Sequence, residues 1–267
     1  MLSDITIGQY IPGNSLLHRL DPRMKLSLTM LFIVLVFLPQ NWWGMLPVAA
    51  CLALTVALSR LSVRLLWRSI KPILVLITFT AALNVLYVHE GETLFQWQFI
   101  HVTTGGLSNA AFIAARILLL VVGSSLLTYT TTHTALTDAI ERLLSPLKWV
   151  GINPHELAMM MTIALRFIPT LMEETDKIMA AQKARGADME SGGLLQRVRA
   201  LIPILIPLFV SSFRRAYDLA MAMECRCYQG GEGRTRMKQL RTAPRDWVAL
   251  AVYLLVGAGI VAINILT

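Results

Sequence analysis

Residues 247–266 read WVALAVYLLVGAGIVAINIL, twenty positions without an Asp, Glu, Lys or Arg. At about 1.5 Å per residue a helix over this run is about 30 Å long, the thickness of a bilayer's hydrocarbon core. Working outward, four more apolar runs occupy residues 26–38, 45–58, 70–88 and 107–128. The first two fall short of the roughly 20 residues a straight span needs, so their ends must draw on flanking residues. Trp42 and Trp43 follow the turn-like Pro39-Gln40-Asn41, and paired indoles suit a membrane–water boundary. The whole chain agrees. Of 267 residues, 55% are hydrophobic and 15% charged, against about 25% charged in an average soluble chain. A purely water-soluble enzyme is excluded by too few charges, disorder by apolar content, and a disulfide scaffold by having three cysteines. The first twenty residues are polar, so no cleavable signal is expected.

Residues 133–245 have a different composition. Apolar or small residues recur at Leu157, Met161, Ala164, Ile168, Leu171, Ile178 and Ala181, with Glu173, Glu174 and Lys177 between them, which is helical spacing. A helix over 156–185 is a rod of about 45 Å. Gly186 stands where a left-handed cap residue belongs, and Ser191-Gly192-Gly193 reads as a link. A second helix is expected from about Leu194 to Tyr228, bent at Pro203 and Pro207 and broken by Gly230, Gly231 and Gly233. No strand-like alternation is read anywhere. The expected fold is an all-α integral membrane protein of about five spans with long cytoplasmic helices ending in arginine motifs. Three regions follow: four spans in 1–132, a helical region in 133–245, and a last span in 246–267.

Of the 24 Lys and Arg, 23 lie before residue 26, in 60–71 or in 142–245; Arg116 alone sits inside a span, and the loops 39–44 and 89–106 have none. Short loops rich in Lys and Arg stay inside, which puts the N-terminus and 133–245 in the cytoplasm and the C-terminus outside. Arg116 reads as a polar intramembrane site or, the favoured reading, as an arginine snorkelling or paired inside the bundle.

Reactive constellations are absent from the sequence. No His-x-x-x-His, His-Glu-x-x-His, P-loop or Gly-x-Ser-x-Gly occurs. Cys225 and Cys227 form a Cys-x-Cys with too few ligands for a closed zinc site. Glu173-Glu174 reads as solvated surface. No catalytic residue, metal site or directly bound cofactor is expected.

Two segments stand apart. Ala181-Gln182-Lys183-Ala184-Arg185-Gly186 ends the first rod, and Ala222-Met223-Glu224-Cys225-Arg226-Cys227-Tyr228 ends the second. A basic residue near a helix C-terminus gains a few tenths to about 1 kcal/mol from the dipole. The sharper reading is a planar fork of donors at a rod tip, with small neighbours that let a partner close in. Two parallel cases in one chain suggest docking of two similar partners.

With these residues the chain resembles the transmembrane (T) component of energy-coupling factor transporters, the scaffold subunit of ATP-driven vitamin and metal uptake systems. The resemblance covers nearly the whole chain. It rests on Gly8-Gln9-Tyr10-Ile11-Pro12-Gly13-Asn14-Ser15, on His18-Arg19-Leu20-Asp21-Pro22-Arg23-Met24-Lys25-Leu26, on Ala164-Leu165-Arg166-Phe167-Ile168-Pro169, and on Ala184-Arg185-Gly186. The family's second Ala-Arg-Gly signature, followed by tyrosine, is here Cys225-Arg226-Cys227-Tyr228. The resemblance implies that Arg185 and Arg226 each enter a groove of one of two ABC-type ATPase subunits, A and A′. Those partners would use ATP and Mg, and the paired helices would transmit their closure to one or more membrane-embedded S components that select the solute. Leu201, Ile204, Leu205, Leu208 and Phe209 are the candidate S-component contacts; a dip of 201–210 into the bilayer, or packing on the first rod, remains open. Gly230-Gly231-Glu232-Gly233-Arg234-Thr235 resembles the form shared among several S components. The implied location is the bacterial cell membrane, multi-pass.

Three other readings compete. A self-contained permease needs polar residues in several spans, and these hold mainly Ser and Thr apart from Arg116 and Asn84. A membrane enzyme lacks its constellation. A nucleic-acid anchor, and hence a nucleic-acid partner, is disfavoured because the positive charge is interleaved with acids.

Overall fold

The computed structural model describes residues 10–87, 92–97, 100–151, 153–187, 193–230 and 240–266. The chain divides into two compact units, one formed by Gln9–Ala139 with Leu240–Thr267, the other by Ile140–Gln239.

The first unit opens with α1 (Pro22–Phe37) and α2 (Trp42–Ser59). Asp21 caps α1 by accepting the Arg23 N–H at 2.9 Å, and Pro22 takes the first turn, where a missing N–H costs nothing. Helix α3 (Val63–Ile70) runs into a 3-10 turn at Lys71–Ile73 and then α4 (Leu74–Tyr87). Pro72 sits in that turn, where its missing donor breaks the α-helical ladder. Helix α5 (Thr104–Thr130) follows, then α6 (His133–Leu143), along which the division into units falls, and α9 (Pro244–Leu266) belongs to this unit too. The core is Phe32, Leu35, Val36, Val48, Leu52, Leu66, Leu126 and Ile260. Gly123 makes it possible: a Cβ there would stand 2.2 Å from the Phe32 ring. Between α4 and α5, Thr93–Trp97 (β1) and Ile100–Thr103 (β2) pair antiparallel, Phe95 opposite Val102 and Trp97 opposite Ile100. This hairpin corrects the expectation of no strands. Aromatic and branched residues alternate with Gln96, His101 and Thr103, a period-two pattern hidden by its brevity. The all-α class stands.

Among the described residues, five helical segments are long and apolar enough to cross a membrane: Trp42–Ser59, Val63–Tyr87, Thr104–Thr130, Val198–Glu224 and Pro244–Leu266. The number is the one expected, but the set differs. With 16 residues α1 is about 24 Å long, short of a bilayer core. The carbonyls just past its end are satisfied by neighbours: Asn264 of α9 donates to Leu38 O at 2.8 Å, and Arg116 of α5 to Pro39 O at 2.7 Å. The Arg116 guanidinium also lies 4.8 Å from the Phe112 ring centre. Arg116 is thus paired inside the bundle. At the opposite end of α1, the motif quoted above forms a node. The buried Asp246 carboxylate accepts the N–H groups of Asp21 at 3.0 Å and Ala243 at 2.6 Å. Arg23 donates to Leu240 O at 2.7 Å, and Lys25 to Thr130 O at 3.0 Å. One turn of α1 thereby ties α5 and α9 together.

The second unit contains the end of α6, a 3-10 segment at Ser145–Val150, α7 (Pro154–Ala184) and α8 (Leu194–Glu224). Each long helix has 31 residues, about 46 Å. Gly193 is the N-cap of α8; Ser191, Gly192 and residues 231–235 lie outside the described residues.

Candidate functional site

The α7 end is closed by two bonds. The Ala187 N–H donates to Gln182 O at 3.0 Å and the Gly186 N–H to Lys183 O at 3.0 Å, with Gly186 at φ +85°. This nested pair around one left-handed residue is the Schellman arrangement. The α8 end repeats it bond for bond. The Tyr228 N–H donates to Met223 O at 3.1 Å and the Cys227 N–H to Glu224 O at 2.8 Å, with Cys227 at φ +54°. Arg185 and Arg226 therefore occupy the same position, the residue before the left-handed one. Both arginines are exposed, as are Ala184, Gly186, Cys225 and Cys227. Neither arginine side chain pairs with another described residue. Cys227 stands where a glycine is the ordinary choice, and a side chain there costs about 1 kcal/mol.

Contacts between α7 and α8 run in opposite directions along the two helices. The Glu174 carboxylate of α7 accepts the Ser211 hydroxyl and the Arg215 guanidinium of α8. Further along α7, Gln182 Nε2 donates to Pro203 O, earlier in α8, at 3.3 Å. That carbonyl is free because its normal helical donor would be residue 207, a proline. The pair is thus antiparallel. Arg185 lies about 16 Å beyond Glu174 in one direction and Arg226 about 22 Å beyond Ser211 in the other. The Ser211 hydroxyl, and after it Arg215, hold the Glu174 carboxyl below its usual range. None of Gln182, Glu174, Ser211 and Arg215 was singled out as a pairing residue from sequence; the proline four residues after Pro203 was the available signal.

The α8 residues 201–209 divide by face. Ile204 is 4% exposed, Leu208 half-buried, while Leu201, Leu205 and Phe209 are exposed, Phe209 at 66%. Ile202, Ile206 and Phe213 extend the exposed apolar face. Among the described residues no group of three or more His, Cys, Asp or Glu could hold a metal ion.

A multi-pass helical membrane protein carrying two matched arginine-tipped helices is the class these features define. The model of the family CbiQ, cobalt transport protein, matches residues 13–237. The chain is 52% identical over 250 residues to the energy-coupling factor transporter transmembrane protein EcfT of Clostridium kluyveri, covering 93% of each chain. It is 53% identical over 241 residues to EcfT of Ruminiclostridium cellulolyticum, covering 90% of each. With EcfT of Bacillus subtilis it shares 49% over 246 residues, 92% of this chain and 93% of that one. The chain belongs to this family of transporter transmembrane components.

Proposed function

We propose that this chain is the coupling subunit of an energy-coupling factor uptake transporter. It joins two ABC-type ATPase subunits to one or more S components and passes ATP-driven motion between them for vitamin import. Arg185, with Ala184 and Gly186, docks one ATPase; Arg226, with Cys225 and Cys227, docks the other. The observation that carries this reading is the identical cap geometry at two helix ends that point opposite ways. Two similar partners on one rigid helix pair need two similar tips held apart. The exposed face of α8, through Leu201, Leu205, Leu208 and Phe209, receives the S component; Ile204 supports that face from beneath. The chain itself catalyses nothing and holds no cofactor; ATP and Mg belong to the partner ATPases.

The N-terminus and residues 133–245 lie in the cytoplasm of a bacterial cell, with four spans in 1–132, the short α1 drawing on its flanking residues, and the last in 246–267. The split of Lys and Arg supports this topology. In that arrangement α8, for all its apolar length, lies under a partner instead of crossing the bilayer. Affinity purification of the full-length chain from its own membranes tests the whole reading. Two ATPases and a small hydrophobic subunit should accompany it, and a chain that purifies alone with full uptake activity sinks the proposal. Efficient labelling from outside of a cysteine placed near Gly192 would overturn the topology.

A further inference from the structure

Within the first unit, the start of α1, the ends of α2 and α5 and the start of α9 line a crevice of about 390 Å³. Its lining residues recur at two depths on each helix: Lys25 and Phe32 on α1, Thr130 and Gly123 on α5, Arg245 and Tyr253 on α9. Seven or eight residues of helix make about 10–12 Å of depth. The two charged residues of the lining, Lys25 and Arg245, both stand at one end of it. The rest is aliphatic, aromatic or sulfur-bearing apart from a few hydroxyls. Leu54 and Val248, which also line it, are 52% and 63% exposed, so the crevice opens sideways onto an apolar surface.

The two cations are not equivalent. Lys25 is buried, and its ammonium donates to the carbonyls of His18 and Thr130. Arg245 is exposed, and its guanidinium pairs with no other described residue. Its neighbour Asp246 is buried and accepts the backbone N–H groups of Asp21 and Ala243 instead. An unpaired planar donor thus stands over the mouth of an apolar slot in a membrane-spanning unit. An anionic head with an apolar tail matches both parts, and a guanidinium binds phosphate through two parallel hydrogen bonds.

We propose that the crevice binds one anionic phospholipid of the surrounding bilayer, with an acyl chain inside it and the phosphate on Arg245. Native mass spectrometry of the full-length chain, purified in mild detergent with its accompanying subunits, counts retained lipid after exposure to phosphatidylglycerol or phosphatidylcholine. Phosphatidylglycerol should be held in preference, and Arg245→Gln should weaken that retention about fivefold, the share of one cation beside an anionic head, and weaken retention of phosphatidylcholine, whose choline offsets its phosphate, by less. Arg241→Gln, at an exposed arginine outside the crevice, should change nothing. Ala249→Phe, which fills the slot, should remove retention of both lipids. Melting curves give a second readout: phosphatidylglycerol should raise the midpoint of the parent chain and not that of Arg245→Gln. Equal retention by the parent and Arg245→Gln overturns the proposal. So does an equal loss in Arg241→Gln, a midpoint raised as much by inorganic phosphate, or no retained lipid because a subunit fills the slot. Should Ala249→Phe not fold, the two arginine variants still decide.

Discussion

In the first unit, Phe32, Val36, Val48, Leu52, Leu126 and Ile260 close on one another, and the polar ends of α1 are answered from within. In the second, α7 and α8 bury Ala158 and Ile204, yet leave Leu201, Ile206, Phe209 and Phe213 exposed and both arginine tips without a described partner. Apolar side chains thus serve two ends. One unit spends them on its own core, with outward side chains suited to lipid. The other keeps them on a face that no described residue of the unit covers, and its polar contacts hold the two helices in register. The first is a scaffold complete in a bilayer. On the function proposed above, other chains complete the second.

The contrast can be broken most directly at the tips. Arg185→Ala with Arg226→Ala should abolish vitamin uptake in vesicles and co-purification of the ATPases, leaving the melting of the chain nearly unchanged. Each single change should weaken docking by about 2 kcal/mol or more, the cost typical of truncating a buried interface arginine. Lysine should rescue in part, because it keeps the charge and loses the fork. Arg197→Ala and Arg241→Ala serve as controls. Normal uptake and complex yield in the double variant would mean the tips are only helix caps.

The scaffold should respond in the opposite sense. Gly123→Ala drives a methyl into the Phe32 ring, and overpacking of this kind costs about 1–3 kcal/mol. Its thermal midpoint should fall while ATPase co-purification at permissive temperature persists. A smaller effect, of about 1 kcal/mol and stabilising, is expected for Cys227→Gly, which relieves the left-handed side chain at the α8 tip. Denaturation midpoints of the two chains check it.

The smallest effect concerns Glu174. Its pKa in the folded chain lies below the ordinary 4.5, through the Ser211 hydroxyl and then Arg215. The clamp's contribution is therefore whole above about pH 4.5 and fades as pH falls through the lowered value. Pulsed electron resonance between labels at Lys183 and Tyr217 should show a distance distribution that broadens only below that pH. Glu174→Gln should show the broad distribution at neutral pH. A distribution indifferent to both changes would mean Glu174 does not hold the pair.

Membrane character, the two long helices and the arginine positions were legible in the sequence, because each depends on local quantities, though α8 ends at Glu224 and not at the expected Tyr228. Apolar length measures a span, apolar spacing measures a helix face, and glycine after arginine marks the α7 cap, while at α8 Cys227 takes that place. The β1–β2 hairpin was legible in principle at Ile100-His101-Val102-Thr103, but four residues of alternation carry too little signal. What tertiary structure alone decided lies between elements distant in the chain. Nothing local says that Asn264 and Arg116 finish the short α1, or that Asp246 caps Asp21 from 225 residues away. Nor does the α8 sequence tell which partner takes the Pro203 carbonyl that Pro207 frees; that choice belongs to Gln182 of α7. Hydropathy and propensity are sums over neighbours in sequence. A carbonyl left without a donor is satisfied by whichever side chain the packing brings within 3 Å or so.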